Sequence, residues 1–100
     1  RPGARMCDVW SAMSQVMEDF GSLGNSIGRM GHGLGMLLTE WPSVHPNDQN
    51  ILESGVVMTL EPGMTFAPRR QLVHEENIVI TESGAEYLTR RAPPEIPVIN

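Results

Sequence analysis

The chain has 100 residues, seven basic against twelve acidic side chains, a formal net charge of −5 and one cysteine. That length holds one small domain at most, because a single core usually takes roughly 50–200 residues, so a multidomain enzyme could be present only as a piece. All seven basic residues are arginine, too few and too dispersed for a phosphate-binding surface, and Cys7 has no intrachain partner for a disulfide framework.

The longest apolar runs, Val56-Val57-Met58 and Ile78-Val79-Ile80, fall far short of the roughly 20 residues of a membrane helix. Neither nucleic acid nor a membrane is therefore an expected partner. The opening Arg1-Pro2-Gly3-Ala4-Arg5 lacks the apolar stretch of about 7–15 residues that a secretory leader requires. With no initiator Met, the chain reads as an excised segment or a processed product.

Val9, Trp10, Met13, Val16, Met17 and Phe20 recur at three- and four-residue spacing, which predicts an amphipathic helix from about Met6 to Asp19, with Asp8 in its positively polarised first turn. Gly21 and Gly24 should end it. From Gly21 to Gly35 the glycines are dense enough to predict a loop, leading into a short strand around Gly31 to Gly35. Trp41 to Asn50, with two prolines among turn formers, reads as an irregular surface connection. Val56 to Glu61 should be a strand ended by Pro62-Gly63, and Asn77 to Thr81 a second one. Glu82-Ser83-Gly84 reads as a hairpin turn into a strand near Glu86 to Thr89. The proline-rich Ala92 to Pro97 can continue neither helix nor central strand. One helix followed by several strands predicts an α+β fold.

Three stretches hold the polar groups of interest: Gly31-His32-Gly33-Leu34-Gly35, Leu60-Glu61-Pro62-Gly63-Met64 and His74-Glu75-Glu76-Asn77. An imidazole between glycines can approach a ligand closely, and a neutral imidazole suits zinc, iron or manganese. Glu61 ends an apolar run and Glu75 precedes one, positions where a carboxylate is expensive to bury unless paired or metal-bound. One imidazole and two carboxylates from separate strands would make an N/O site for a divalent metal. The plainer alternative is a hydrogen-bonded His32, a water-facing Glu61, and a solvated Glu75-Glu76 pair. The run Gly28 to Gly33 matches a phosphate loop poorly, since the chain contains no lysine. Met13, Met17 and Met30 are expected to fill core space, and Arg69-Arg70 and Arg90-Arg91 to be solvated turn charges.

Taken together and in order, these stretches resemble the C-terminal half of the catalytic domain in the pita-bread metallohydrolases, which include methionine aminopeptidase, prolidase, Xaa-Pro aminopeptidase and creatinase. Gly31 to Gly35 is similar to the family's GHGxG segment, Glu61 to Met64 to its EPG segment, and Glu75 to Thr81 to its closing E-[DE]-x-hydrophobic-V-x-T strand. Gly84 to Thr89 is similar to the G-x-E-x-L-T that follows.

The resemblance implies that His32, Glu61 and Glu75 are three of five ligands to two divalent metals (Mn, Co, Zn or Fe), with Glu75 bridging both ions and Glu61 also moving a proton. It implies two further aspartates and another histidine upstream, in a region this chain does not contain. Thr39 stands where the peptidases usually carry a second histidine, and Val73-His74 where an arginine is common. Thr39 and His74 are thus the candidate substrate contacts, His74 alternatively being an exposed strand residue.

The expected activity is that of a hydrolase cutting the amide beside proline in small peptides, cytoplasmic and homodimeric at full length. A creatinase-like hydrolase or lyase acting on a small non-peptide substrate is the alternative within the fold. A catalytically inactive fragment is the alternative outside it. Half a curved sheet should leave an apolar edge exposed and favour self-association.

Overall fold

The computed structural model describes residues 1–24 and 28–100. Part of the glycine-rich loop expected from Gly21 to Gly35, residues 25–27, therefore lies outside the described residues. The rest comprises helix α1 (Met6–Asp19) and strands β1 (Gly31–Gly33), β2 (Glu40–Ser43), β3 (Val57–Leu60), β4 (Gly63–Ala67), β5 (Arg70–Val73), β6 (Glu76–Thr81) and β7 (Gly84–Tyr87).

The helix occupies the predicted span, and a glycine stops it in the predicted way. Gly21 takes φ +86°, a left-handed conformation open to glycine at little steric cost. Its N–H bonds to the Glu18 carbonyl at 3.0 Å, and the Ser22 N–H reaches back to Met17 at 3.0 Å. This paired closure satisfies carbonyls that the last helical turn would otherwise leave bare.

Five strands form an antiparallel sheet in the order β2-β1-β3-β6-β7, while β4 and β5 pair separately. One face of the large sheet receives α1. Met6, Met30, Val44, Leu52, Met58, Ile78 and Ile80 form the buried cluster there, and Val9, Trp10, Met13 and Met17 of the helix pack against it. The alternation along β6, with Glu76, Ile78 and Ile80 buried, shows which side faces the helix. Met30 fills the core as expected, whereas Met13 and Met17 only border it.

Two expectations need correcting. Trp41 to Asn50 is not wholly irregular, because Glu40–Ser43 forms β2. Pro42 is tolerated there because β2 lies at the sheet's edge, where its missing N–H need not break a ladder. The last strand starts at Gly84, since Thr81 already pairs with Gly84 across a two-residue turn. Pro62-Gly63 does end β3, whose last residue is Leu60, as expected, although the hairpin continues beyond it. The register that sets Leu60 opposite Glu76 resumes with Gly63 opposite Val73. Pro62 and Glu75 thus mark an interruption inside one long hairpin, whose far end, β4–β5, turns at Pro68-Arg69 with Arg69 at φ 58°.

The connection from β2 to β3 is organised by Asp48. Its Oδ2 accepts the Ser43 N–H at 3.0 Å, and its Oδ1 accepts both the Asn50 N–H at 2.9 Å and the Asn50 side-chain amide at 2.6 Å. Its backbone carbonyl takes the Cys7 N–H at 2.8 Å, at the start of α1. Burial pushes the carboxyl pKa up, but the N–H donors of Asn50 and Ser43 together outweigh it and leave the pKa below 3.8. A lowered folded pKa adds stability above the unfolded value that is lost as pH falls through the folded one. Asp48→Ala should accordingly destabilise the chain by about 1–3 kcal/mol at pH 7. In acid denaturation monitored by circular dichroism, the deficit should shrink below about pH 4; a deficit constant down to pH 2 contradicts this role.

Apolar side chains are exposed near the β2 edge, as expected of a sheet that ends abruptly. Met36 is 98% exposed, Leu38 81% and Trp41 73%. No helix among the described residues is long and apolar enough to cross a membrane.

Candidate metal centre

His32 lies in the middle of β1 and is 5% exposed. The glycines on either side are required by close packing. A Cβ on Gly31 would overlap the Thr59 carbonyl oxygen, and one on Gly33 would lie 2.6 Å from the Trp41 carbonyl oxygen. Both neighbouring strands thus press on the backbone that carries the imidazole.

The tautomer of His32 follows from its hydrogen bond. Nδ1 lies 2.8 Å from the Gly33 carbonyl oxygen, which can only accept, so Nδ1 carries the proton. In the neutral ring Nε2 is then a bare lone pair. It faces Glu61 Oε1 at 3.6 Å, beyond the range of a hydrogen bond. Two lone-pair atoms at this separation can both reach one ion at the usual ligand distances of roughly 2.0–2.2 Å. The carboxylate also has Arg29 Nε at 3.6 Å.

The interrupted hairpin brings in the second carboxylate. Leu60 opposite Glu76 on one side, and Gly63 opposite Val73 with the His74 N–H on the Pro62 carbonyl at 3.2 Å on the other, set Glu61 opposite Glu75. Two residues further into the ladder, Thr59 is opposite both His32 and Asn77. Side chains alternate along strands, so His32, Thr59, Asn77, Glu61 and Glu75 belong to one face, away from α1. The Thr59 hydroxyl, almost fully buried, donates to Asn77 Oδ1 at 2.7 Å.

The convergence is incomplete in these side-chain positions. Glu75 is exposed, and among the described residues no three His, Cys, Asp or Glu side chains come together closely enough to hold a metal ion. His32 and Glu61 are brought together, and Glu75 shares their face. Thr39 is exposed at the end of the loop that leads into β2. His74 is half-exposed between β5 and β6, with Nε2 3.0 Å from Glu76 Oε1.

Glu76 itself overturns the idea of a solvated carboxylate pair. It is 9% exposed, and its Oε1 accepts the Ala92 N–H at 3.1 Å as well as the His74 ring. The Ala92 N–H, then the His74 ring, hold its carboxyl below the ordinary glutamate range against the cost of burial. Glu76 therefore straps the chain after β7 to the strand that starts beside Glu75. Replacing it with alanine should loosen the tail, raising the rate of proteolytic cleavage near Ala92 several-fold relative to the parent; an unchanged digestion pattern would contradict the strap. Residue type gave no sign of this bond, because Glu75 and Glu76 look alike until the register assigns them opposite faces.

The metallopeptidase family M24 model matches residues 1–82. The chain belongs to this family. Relatives agree in fold and sequence with an M24 assignment. An Xaa-Pro dipeptidase of Pyrococcus furiosus is 31% identical over 90 residues, 90% of this chain and 26% of the relative. The solved prolidase from Pyrococcus furiosus superposes with a TM-score of 0.83 at 31% identity, covering 93% of this chain and 28% of that one. An X-Pro aminopeptidase from Thermotoga maritima gives a TM-score of 0.83 at 27% identity, covering 99% of this chain and 28% of that one. The expected α+β pita-bread architecture is thereby established for this M24 chain. The chain spans about a quarter of the length of the curated relatives it matches.

Proposed function

We propose that this M24 chain forms part of a cytoplasmic, homodimeric hydrolase that uses two divalent metal ions to cleave the amide bond beside proline in small peptides. The observation that carries the reading is the bare Nε2 of His32 facing Glu61 at 3.6 Å, with Glu75 opposite Glu61 in the hairpin. All three are lone-pair donors suited to Mn, Co, Fe or Zn. The relatives' names, Xaa-Pro dipeptidase and prolidase, supply the substrate class.

His32, Glu61 and Glu75 would hold the ions together with aspartates contributed from outside these 100 residues. A bound divalent ion supplies positive charge that polarises an amide carbonyl and acidifies water. The chain's own residues do the rest. Nδ1–H on the Gly33 carbonyl keeps the imidazole oriented, with Nε2 as the lone-pair atom of the neutral ring. Glu61, only partly buried, is placed to take a proton from attacking water and pass it to the leaving amine. The bare backbone at Gly31 and Gly33 lets the neighbouring strands close around the site.

A second reading keeps the site and changes the substrate. Thr39 is a neutral donor, weaker than an imidazole for a developing oxyanion, which favours a small non-peptide substrate of the creatinase kind. Full-length protein loaded with Mn or Co, assayed on Xaa-Pro dipeptides and on guanidino compounds, separates the two. Cleavage of the dipeptides is expected, and turnover of the guanidino compounds alone would overturn the peptidase reading. The 100-residue chain by itself should be inactive, because three ligands hold a metal pair poorly.

A further inference from the structure

The face that carries the candidate ligands also holds a polar pair with no part in the ligand set. Thr59, in β3, is 1% exposed. A buried hydroxyl is costly unless it is hydrogen-bonded, and valine would suit a central strand equally well. The Thr59 hydroxyl nevertheless sits there and donates to Asn77 Oδ1 at 2.7 Å.

The register sets this pair among the ligands. His32, Thr59 and Asn77 lie side by side across β1, β3 and β6. The next row on the same face holds Glu61 opposite Glu75. Glu75 is two residues from Asn77 along one extended chain, about 6–7 Å between Cα atoms, and Glu61 is its diagonal neighbour. Both separations are within reach of side chains of this length.

The existing bonds decide which group can act on the ligands. The hydroxyl of Thr59 has a single proton, and Asn77 takes it. Asn77 has its oxygen occupied by that bond and two amide protons still to donate. Among the described residues its N–H₂ has no acceptor. Glu75 is the complement: its carboxylate is exposed and, among the described residues, has no hydrogen bond or ion pair. A donor without an acceptor thus stands two residues from an acceptor without a donor.

We propose that Thr59 and Asn77 are positioning residues of the metal centre, the hydroxyl holding the amide so that its N–H₂ donates to the Glu75 carboxylate and draws it inward beside Glu61. The proposal rests on the reading of His32, Glu61 and Glu75 as ligands. Ligating carboxylates are commonly hydrogen-bonded in their turn, and loss of such a partner costs roughly 10–100-fold in metal affinity. An amide suits the task because it donates without the positive charge that would repel an incoming cation.

The test is calorimetric titration of metal-free, full-length protein with Mn²⁺, with urea unfolding of the same metal-free samples. Thr59→Val and Asn77→Leu should each weaken Mn²⁺ binding by about 10–100-fold. Their double variant should lose no more than the larger single loss, because the two residues act in series. Thr59→Ser keeps the hydroxyl and should bind close to the parent. The urea midpoint should barely separate Thr59→Val from Thr59→Ser, so that the difference in affinity is not a difference in folding. Should Thr59→Val fail to fold, Asn77→Leu, at a half-buried position, carries the test. Parent-like affinity in Asn77→Leu, equal losses in Thr59→Val and Thr59→Ser, or additive losses in the double variant overturn the positioning role. If the ligand reading itself is wrong, the unaltered protein and His32→Ala take up Mn²⁺ equally or not at all, which overturns both. If only the positioning role is wrong, His32→Ala loses Mn²⁺ while Asn77→Leu binds it as the parent does.

Discussion

Replacing Glu61 with glutamine in the full-length, metal-loaded protein should lower kcat by roughly 10²–10⁴-fold, the usual contribution of a positioned proton-transfer group. Glutamine keeps the size and one acceptor oxygen of the side chain but cannot take a proton at neutral pH. His32→Ala and Glu75→Ala should act differently, losing metal first and activity as a consequence. For these two, higher metal concentration should restore part of the rate, whereas Glu61→Gln should stay slow at any metal concentration. The measurement is kcat against metal concentration for the three variants, with metal content read separately by elemental analysis. Activity that survives in all three variants would remove the assignment of the centre.

The contrast between these variants follows from how each residue is held. His32 is buried, with Nδ1 tied to Gly33, so its only available role at Nε2 is that of a lone-pair donor. Glu61 is partly exposed and touches both His32 and Arg29, giving its proton a path to solvent. Glu75 faces Glu61 through the register alone, and without a cation the two carboxylates repel each other. Addition of Mn or Co should for that reason stabilise the folded protein, by an amount that grows with metal concentration.

What was legible in the sequence is what has local signals. The helix is written in apolar spacing from Val9 to Phe20, and its end in Gly21. His32 stands out through its flanking glycines, expected to let the imidazole approach a ligand; what the structure shows them admitting is the backbone of the neighbouring strands at Thr59 and Trp41. What was not legible depends on pairing between distant segments. Pro62-Gly63 ends β3 as its composition predicts, but nothing local shows that pairing resumes beyond it, where His74 supplies an N–H to the Pro62 carbonyl. Pro42 carries the mark of a loop, yet an edge strand tolerates it. The difference between Glu75 and Glu76 is a matter of parity, and only the register with β3 reveals which carboxylate turns towards the helix side and which towards His32. Arg29 was visible merely as part of a glycine-rich run; its place beside Glu61 arises from the turn of the chain into β1.

The largest effect on stability should come from the glycines around His32, and it should be graded by what each one touches. A methyl group on Gly31 would overlap the Thr59 carbonyl oxygen and sit 2.9 Å from Val44 Cγ2; on Gly33 it would sit 2.6 Å from the Trp41 carbonyl oxygen. In both cases the obstacle includes backbone of a paired strand, which cannot yield without opening β1 from its neighbours. On Gly35 the methyl would meet only the Glu40 carboxylate, at 2.5 Å, the far end of a side chain that can swing aside at the expense of its bond to the Leu37 N–H. Alanine at any of the three also narrows the unfolded ensemble, a gain of about 0.4–1 kcal/mol where the native backbone accepts it. Gly31→Ala and Gly33→Ala should each lose roughly 2–3 kcal/mol or more despite that gain, while Gly35→Ala should stay within about 1 kcal/mol of the parent. Urea unfolding of the three variants in the full-length protein measures this order. Three equal losses would mean that the glycines serve the loop's conformation, whereas the predicted ranking would mean that they let two strands close on the backbone that holds the imidazole.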